Sequence, residues 1–187
     1  MSTSVQGKTV AILAADGFEE SELASPREAL TSAEVNVEIV SPNGWQITAW
    51  AKTSWGQEYT VDKTLEDANS DDYDMLIIPG GLFNPDTLRT DPAALEFTRD
   101  FFQQHKPVAA ICHAPWVLIS AGVVKDRDVT SYPSVKDDLI NAGARWHDRS
   151  VVVDNGLITS RSPDDLEDFN AKILEELTEG KHKRQVA

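Results

Sequence analysis

Short apolar runs alternate along this chain with segments of helical periodicity, and this alternation limits the possible folds more than any other feature. The runs Thr9–Ala14, Val35–Val40 and Met75–Ile78 are continuously apolar or nearly so, and turn-forming residues follow each of them. Continuous apolar runs are typical of strands that are buried on both faces of a sheet. The alternation therefore predicts an α/β domain with a mostly parallel central sheet and helices on both faces.

The remaining segments complete a predicted order of strand, helix, strand, hairpin, strand, helix, strand and helix. The Asn155-Gly156 turn predicts a hairpin between Val151–Val153 and Leu157–Thr159, because Asn-Gly favours two-residue hairpin turns. Ser162-Pro163 is expected to cap the last helix. The other expected elements are a helix carrying Leu23, Ala24, Ala29 and Leu30, a hairpin or edge flap over Trp45–Tyr59, and helices over Asp91–Gln104 and Ser134–Ala142.

Length and charge restrict the class of protein. With 187 residues, no repeats and no linker, residues 1–187 are expected to form one domain, with a core over about 8–177 and a basic tail over 178–187. The net charge of -14 argues against an electrostatic nucleic-acid partner. No run reaches the roughly 20 apolar residues of a membrane span, and Met1–Thr9 is polar. We therefore expect a cytoplasmic protein with no membrane partner.

The only cysteine stands where an apolar run stops and a helical pattern begins. Pro107–Ile111 has the character of a buried strand, Cys112 follows it, and a helix starts near Trp116. A tight turn of this kind presents a side chain at the carboxyl end of the sheet, beside a helix amino terminus that favours a thiolate. A lone cysteine also forms no internal disulfide, which fits a reducing compartment. Cys112 is therefore a candidate nucleophile, and a buried structural cysteine is the alternative.

Two further segments are expected at the same edge of the sheet. Asp16–Glu22 follows the first strand and Pro79-Gly80-Gly81 follows the third, and ligands bind outside the carboxyl ends of strands in open α/β sheets. The acidic residues of the first segment could serve only to complement the helix dipole. The glycines allow close approach of the backbone and leave amides free for an oxyanion.

The histidines give little support to a Cys–His dyad or to a zinc site. His113 adjoins Cys112, and adjacent residues in a regular helix do not face one another, so a dyad requires a bend in the backbone between them. None of the four histidines forms a ligand-spaced pair with another, so the sequence offers no convincing zinc site; they are His105, His113, His147 and His182. We expect neither a metal nor a cofactor.

Ordered short motifs extend over about residues 8–177. They are Asp16–Leu23 (DGFEESEL), Ile78–Gly81 (IPGG), Ala110–Pro115 (AICHAP), Ser120–Val123 (SAGV), Thr130–Pro133 (TSYP), Asp137–Ala144 (DDLINAGA), Val151–Asp154 (VVVD) and Thr159–Leu166 (TSRSPDDL). With these motifs the chain resembles the PfpI family of intracellular cysteine proteases. Its superfamily includes the parkinsonism-associated deglycase, glyoxalase III-type enzymes and class I glutamine amidotransferase domains. The resemblance implies a flavodoxin-like sandwich.

The resemblance also implies roles for individual residues. It implies Cys112 as the nucleophile, Glu22 as the carboxyl that hydrogen-bonds its sulfur, and an acidic residue of a neighbouring subunit, here Asp86, that orients the histidine. The remaining site groups are expected to be Glu19, His113, the backbone amides of Gly81 and His113, and Gly80 and Trp116 at the pocket. A protonated Glu22 would stabilise a thiolate, so we expect a Cys112 thiol pKa well below the roughly 8.5 of free cysteine.

Two functions remain open at this point. The first is a stress-response cysteine hydrolase that acts on peptides, small aldehydes such as methylglyoxal, or glycated adducts. The second is a non-catalytic, chaperone-like responder whose Cys112 is oxidised to sulfenic or sulfinic acid. Self-association into a homodimer or hexamer is expected from the resemblance and from Trp45, Trp50 and Trp55, since aromatic residues are enriched in interfaces.

Overall fold

Residues 4–185 are described by a computed structural model and form eleven β-strands and six α-helices. The strands are β1 Thr9–Leu13, β2 Asn36–Ser41, β3 Gln46–Ala51, β4 Ser54–Thr60, β5 Lys63–Thr64, β6 Met75–Ile78, β7 Val108–Ile111, β8 Asp128–Val129, β9 Arg145–Trp146, β10 Val151–Asp154 and β11 Leu157–Ser160. The helices are α1 Glu20–Ser32, α2 Phe83–Leu88, α3 Pro92–Gln103, α4 Pro115–Ala121, α5 Lys136–Asn141 and α6 Leu166–Glu179. The predicted domain of 1–187 includes residues 1–3 and 186–187, which lie outside this description.

Seven strands form the central sheet, in the order β10-β11-β7-β6-β1-β2-β5. Every neighbouring pair is parallel except β10 and β11, which form the antiparallel hairpin predicted from the Asn155-Gly156 turn. Because the parallel strands point the same way, their carboxyl ends lie along one edge. The predicted α/β fold with a mostly parallel sheet is confirmed, and β1, β6 and β7 end side by side.

Helices cover both faces of this sheet. Val10 and Ile12 of β1 pack in the apolar cluster that includes α1 and α6, whereas Ala11 and Leu13 pack in the cluster that includes α3 and α4. This division follows from the pleat of the strand, which turns successive side chains to opposite faces. Continuous apolar runs are therefore required, because both faces of β1 are buried.

The predicted aromatic hairpin is also confirmed. Strands β3 and β4 pair with one another, outside the central sheet, with Trp50 opposite Trp55. The Trp50 N–H donates a hydrogen bond of 2.7 Å to the Phe18 carbonyl, in the loop that leads from β1 into α1. The hairpin is thus attached at the carboxyl edge of the sheet.

Two local expectations were wrong or incomplete. Ser162 makes no side-chain capping hydrogen bond, and the chain first forms a 3₁₀ turn over Pro163–Asp165, so that α6 starts only at Leu166. Helix α2 was not predicted, because Asn84-Pro85 is typical of a loop. The fully buried Asn84 side chain accepts the Ala15 N–H at 2.7 Å and donates to the Pro79 carbonyl at 2.8 Å, which holds α2 against the sheet edge.

Within residues 4–185, none of the helices has the length and apolar character that a membrane span requires. The longest, α6, has 14 residues and carries Glu167 and Asp168 in its first turn. A bilayer-spanning helix needs about 20 predominantly apolar residues.

Candidate active site

Cys112 lies on the turn between β7 and α4. Its φ of +64° is in the left-handed region, which is uncommon for residues other than glycine. Its N–H donates to the Ser160 carbonyl at 3.0 Å, and its carbonyl accepts the Tyr132 N–H at 2.9 Å. The predicted strand-to-helix turn is present, and its geometry resembles the strained turn that carries the nucleophile in α/β-hydrolases.

The same backbone conformation brings His113 to the sulfur. The Cys112 Sγ and His113 Nδ1 atoms are 3.1 Å apart, which an undistorted helix would not allow for adjacent residues. The ring stacks on Tyr132 with centroids 4.7 Å apart, and its Nε2 lies 3.1 Å from Ser134 Oγ. Burial lowers the pKa of His113, so the imidazole is neutral at pH 7. A charged thiolate–imidazolium pair is therefore not favoured.

Glu22 supplies a second acid–base group from the first turn of α1. It is fully buried, and its Oε2 accepts the Gly80 N–H at 2.7 Å, whereas Oε1 is buried without a hydrogen-bond partner among residues 4–185. Burial raises the pKa of Glu22 to about 8, the Gly80 N–H lowers it, and the charge of Glu19 raises it. Glu22 is therefore largely protonated at neutral pH.

The expectation of a low thiol pKa is wrong for this structure. Burial raises the pKa of the Cys112 thiol, and a charged Glu22 raises it further, while the N–H groups of Gly81 and His113 lower it. The sequence indicates the amides and the carboxyl, but it does not reveal the desolvation of a residue that is only 6% exposed. Desolvation disfavours the charged form of any acid, and here it outweighs the two amide donors.

The thiol and the carboxyl therefore behave as one unit with two protons. The first proton leaves near pH 8, the pKa of Glu22, and the second leaves at much higher pH because a second negative charge would be repelled. The Gly81 and His113 amides favour the form in which the sulfur is charged, and the Gly80 amide favours the carboxylate. The pKa of the thiol stays above that of the carboxyl, so the form with a neutral thiol and a charged carboxyl is favoured after the first proton has left.

Gly80 makes this close approach possible. A Cβ atom at this position would lie 2.5 Å from Glu22 Oε2, 2.6 Å from Cys112 Cβ and 2.8 Å from the Ile111 carbonyl oxygen. These distances are well below van der Waals contact, so a side chain at residue 80 would push the carboxyl and the cysteine turn apart. The predicted role of the glycine pair in close backbone approach thus has a geometric basis at Gly80.

A cavity of about 350 Å³ opens above Cys112. Its outer side carries the rings of Trp50 and Phe83, whose centroids are 6.0 Å apart, and Trp55 stacks on Phe83 at 5.9 Å. The residues that line the cavity are Glu19, Glu22, Trp50, Lys52, Gly81, Leu82, Phe83, Cys112, His113, Tyr132 and Pro163. The cavity therefore combines a polar inner wall with a mainly apolar outer wall.

Gly80, predicted at the pocket, is not among these lining residues, and neither is Trp116. The Trp116 indole N–H donates to Asp138 at 2.8 Å, and its ring meets His113 edge-on with centroids 5.1 Å apart. Trp116 occupies this position because α4 starts at Pro115 and its first turn follows His113. Trp116 therefore packs against His113 and does not line the cavity.

The other predicted residues separate into two groups. Glu19 lines the cavity at the start of α1, whereas Asp86 is exposed on α2. Within this chain, His113 Nε2 is partnered by Ser134, which no sequence pattern singled out. Tyr132 was also missed as a site residue, although it belongs to the Thr130–Pro133 motif.

Together these features define an α/β protein with a cysteine at the nucleophile turn, a neutral histidine beside it and a buried carboxyl behind it. Residues 8–176 match the DJ-1/PfpI family. The chain belongs to the DJ-1/PfpI family.

Individual relatives agree with this assignment. The chain is 43% identical over 168 residues to a Bacillus subtilis protein named "Putative cysteine protease YraA", covering 89% of this chain and 96% of that protein. Drosophila melanogaster DJ-1beta superposes with a TM-score of 0.84 at 31% identity and covers 92% of this chain and 91% of its own. A two-domain Anabaena variabilis protein with DJ-1/ThiJ/PfpI-like and ferritin-like domains has a TM-score of 0.85 at 34% identity, over 91% of this chain but 48% of its own.

Proposed function

We propose that this protein is a Cys112-dependent enzyme that acts on reactive carbonyl compounds, namely small 2-oxoaldehydes and the early adducts that they form with proteins. The observation that carries the proposal is the Cys112–Glu22 pair, in which a buried carboxyl that is largely protonated at neutral pH lies beside the sulfur. Carbonyl addition needs a nucleophile, a group that gives and takes protons, and donors for the oxyanion. We place the reaction in the cytoplasm, where a lone thiol stays reduced.

The proposed reaction starts from the minor fraction of Cys112 that is ionised while Glu22 remains protonated. The thiolate adds to the aldehyde carbon, and the carbonyl electron pair moves to oxygen, which accepts hydrogen bonds from the Gly81 and His113 amides and a proton from Glu22. The Glu22 carboxylate then removes the C–H proton of the hemithioacetal and returns it to the adjacent carbon, while the hydroxyl proton passes to the former ketone oxygen, which gives the thioester of a 2-hydroxy acid. Water hydrolyses the resulting thioester, which releases a 2-hydroxy acid and restores the thiol. One water is consumed, and no external oxidant is required.

Two features favour carbonyl chemistry over peptide hydrolysis. A cavity of about 350 Å³ is of the size that holds a small compound or one amino-acid side chain. Cleavage of a peptide also needs an acid for the leaving amine, and His113 is neutral at pH 7 and contacts Ser134 rather than a carboxylate in this chain. Peptide hydrolysis is therefore an outcome to be tested and not the function proposed here.

The test compares wild type with Cys112→Ser on methylglyoxal, a methylglyoxal-modified peptide and an unmodified peptide. We expect turnover of the first two substrates by wild type and a loss of at least 10³-fold in the variant, because no other described side chain supplies a sulfur nucleophile. Equal rates in the two proteins would rule out the proposal. Turnover of only the unmodified peptide would identify a protease instead.

One observation favours a second function, oxidation sensing at the same sulfur. The buried Glu22 Oε1 has no hydrogen-bond partner among residues 4–185, so a protonated Glu22 could donate to an oxygen atom added to Cys112. The thiolate would take one oxygen from peroxide to give a sulfenate and water, and a second peroxide would give the sulfinate. Intact mass after mild peroxide treatment should show one or two added oxygen atoms in wild type and none in Cys112→Ser. A wild-type protein that stays reduced would exclude this function.

Self-association belongs to the same proposal. Trp55, Leu82 and Phe83 are each more than half exposed, which forms an apolar surface beside the cavity, and Trp45 is exposed near the other end of the β3–β4 hairpin. We propose that a second copy covers this surface in a homodimer or hexamer, which would bring the neighbouring Asp86 toward the site. Light scattering at micromolar concentration should give the mass of an oligomer. A monomer would remove Asp86 from the mechanism.

A further inference from the structure

A histidine and two carboxylates come together at the end of α6 and in the segment that follows it. One ligand atom from each residue lies within 4.8 Å of the other two, and the residues are Glu176, Glu179 and His182. The helix ends at Glu179 and Gly180 follows it, so the chain turns and brings His182 back to the last turn. The cluster is therefore formed by the helix terminus and not by a regular helical spacing alone.

This cluster lies at the opposite edge of the sheet from Cys112. The His182 N–H donates to the His105 carbonyl at 2.8 Å, and the Gln185 side chain donates to the Lys106 carbonyl at 2.6 Å. These carbonyls precede the amino end of β7, whereas Cys112 follows its carboxyl end. The cluster is therefore separate from the candidate active site.

The contact between Glu176 and His182 is short but poorly aligned. Glu176 Oε2 and His182 Nε2 are 2.7 Å apart, yet neither atom has a hydrogen-bond partner among residues 4–185. Glu176 is only 5% exposed, so water has little access to its carboxylate. In a hydrogen bond the acceptor oxygen lies along the N–H direction. When two atoms bind one cation, the lone pairs of both point to the cation, which lies to the side of the line that joins the two atoms. The two atoms thus form an ion-pair contact that lacks the alignment of a hydrogen bond, and a cation bound by both would satisfy them.

The negative charge near the end of α6 also favours a bound cation. Glu175, Glu176 and Glu179 lie within one turn and a half of helix, and Lys172 Nζ is 2.7 Å from Glu175 rather than from the other two. His182 is the basic group within ion-pair distance of Glu176, and a divalent cation would offset the charges of Glu176 and Glu179 together.

We propose that Glu176, Glu179 and His182 bind one divalent transition-metal ion, and Zn²⁺ fits this donor set best. Imidazole nitrogen and carboxylate oxygen both bind zinc at about 2.0–2.2 Å, which places neighbouring ligand atoms of a tetrahedral site about 3.3–3.6 Å apart. Glu176 and His182, now 2.7 Å apart, reach this separation by moving apart by about 0.6–0.9 Å. Glu179 is exposed, which leaves an open side for entry of the ion and for a water ligand. The bound ion would tie the segment after α6 to the helix.

The test measures zinc binding to the metal-free protein by equilibrium dialysis and elemental analysis. All proteins carry Cys112→Ser, because the thiol at the other edge of the sheet would also bind zinc. We expect one equivalent of Zn²⁺ at micromolar concentration, and at least tenfold weaker binding in both His182→Gln and Glu179→Gln. The matched controls are Glu175→Gln on the same helical turn and His147→Gln, whose ring is paired with Asp128; both should bind zinc like the parent.

Two results would overturn the proposal: no zinc bound at micromolar concentration, or undiminished binding in His182→Gln. Because Glu179 is exposed, Glu179→Gln should have the melting temperature of the parent without metal, so loss of zinc in this variant cannot reflect unfolding. Hydrogen exchange gives a second readout. Zinc should slow exchange of the amides of residues 180–185 in the parent but not in His182→Gln.

Discussion

The inner and outer walls of the cavity above Cys112 are built in different ways. The inner wall contains Cys112 and Glu22, which are buried and packed so closely against Gly80 that a methyl group added at Gly80 would collide with both. The outer wall consists of exposed rings on the β3–β4 hairpin and on α2. Burial sets the proton chemistry of the inner wall, because it raises the pKa of both acids.

The contrast between the two walls indicates where the chemical step and the choice of substrate are determined. The inner wall should determine the chemical step and tolerate almost no substitution. The outer wall should influence which substrates bind, with modest effects on turnover, because its rings are exposed and contribute mainly apolar contact. Substitutions in the two walls can therefore test whether the chemical step and the choice of substrate depend on different residues.

The largest effect is expected for Glu22→Gln, which keeps the shape of the side chain but removes its acid–base function. Turnover of methylglyoxal should fall about 10²–10⁴-fold, the usual contribution of a general acid–base group. Steady-state kinetics would measure this. The control is Glu28→Gln, on the exposed side of the same helix, which should keep full activity. Wild-type activity in the Glu22→Gln variant would show that the carboxyl takes no part in proton transfer.

Gly80→Ala should lower the free energy of unfolding by about 2–3 kcal/mol, in the upper part of the range for overpacking, since the new Cβ has three neighbours within 2.8 Å. Urea unfolding of the two proteins measures the difference. The matched control is Gly44→Ala, where the nearest atom would be Thr64 Cγ2 at an ordinary 3.8 Å. Similar losses in the two variants would contradict the tight inner wall.

The pH dependence of stability provides a smaller and more specific test. The folded-state pKa of Glu22 is about 8, above its usual value, so folding favours the protonated form, and its contribution is complete at low pH and lost as pH rises toward 8. Wild type should therefore lose stability between about pH 5 and 8 relative to Glu22→Gln, by up to about 1.4 kcal/mol per pH unit. Parallel stability profiles would contradict the raised pKa.

The rate of Cys112 alkylation reports the ionisation of the thiol itself. Because burial and the charge of Glu22 raise the pKa of the thiol, the rate with iodoacetamide should rise only above the roughly 8.5 at which free cysteine ionises, and not well below 8.5 as the sequence alone predicts. A midpoint several units lower would show that the amides at the sulfur outweigh burial after all.

The smallest effect is expected for Phe83→Ala in the outer wall. Loss of about 40 Å² of apolar contact corresponds to about 1 kcal/mol, so KM for an aryl-substituted 2-oxoaldehyde should rise about fivefold while kcat changes little. Methylglyoxal, which is too small to need the ring, should be nearly unaffected. Trp45→Ala is the control, because Trp45 is exposed but does not line the cavity. A large fall in kcat would show that the outer wall also contributes to the chemical step.

Much of the fold and part of the site could be predicted from local patterns. Apolar runs such as Thr9–Ala14 indicate buried strands, Asn155-Gly156 indicates a hairpin, and Cys112 lies at a recognisable strand-to-helix junction. Helix α2 could not be predicted, because it depends on hydrogen bonds from Asn84 to residues that are distant in sequence or across the loop. Tyr132 and Ser134 were missed for the same reason, since they reach His113 only after the chain has folded.

The α/β architecture and the position of the cysteine on its turn follow from the sequence, because both depend on the order of apolar, turn-forming and helical residues. The protonation of the site depends instead on the tertiary structure. The pKa of Glu22 and of Cys112 depends on how completely water is excluded and on which N–H groups point at each atom. Those quantities arise from the packing of α1, β6 and β7 against one another, and no local pattern encodes them.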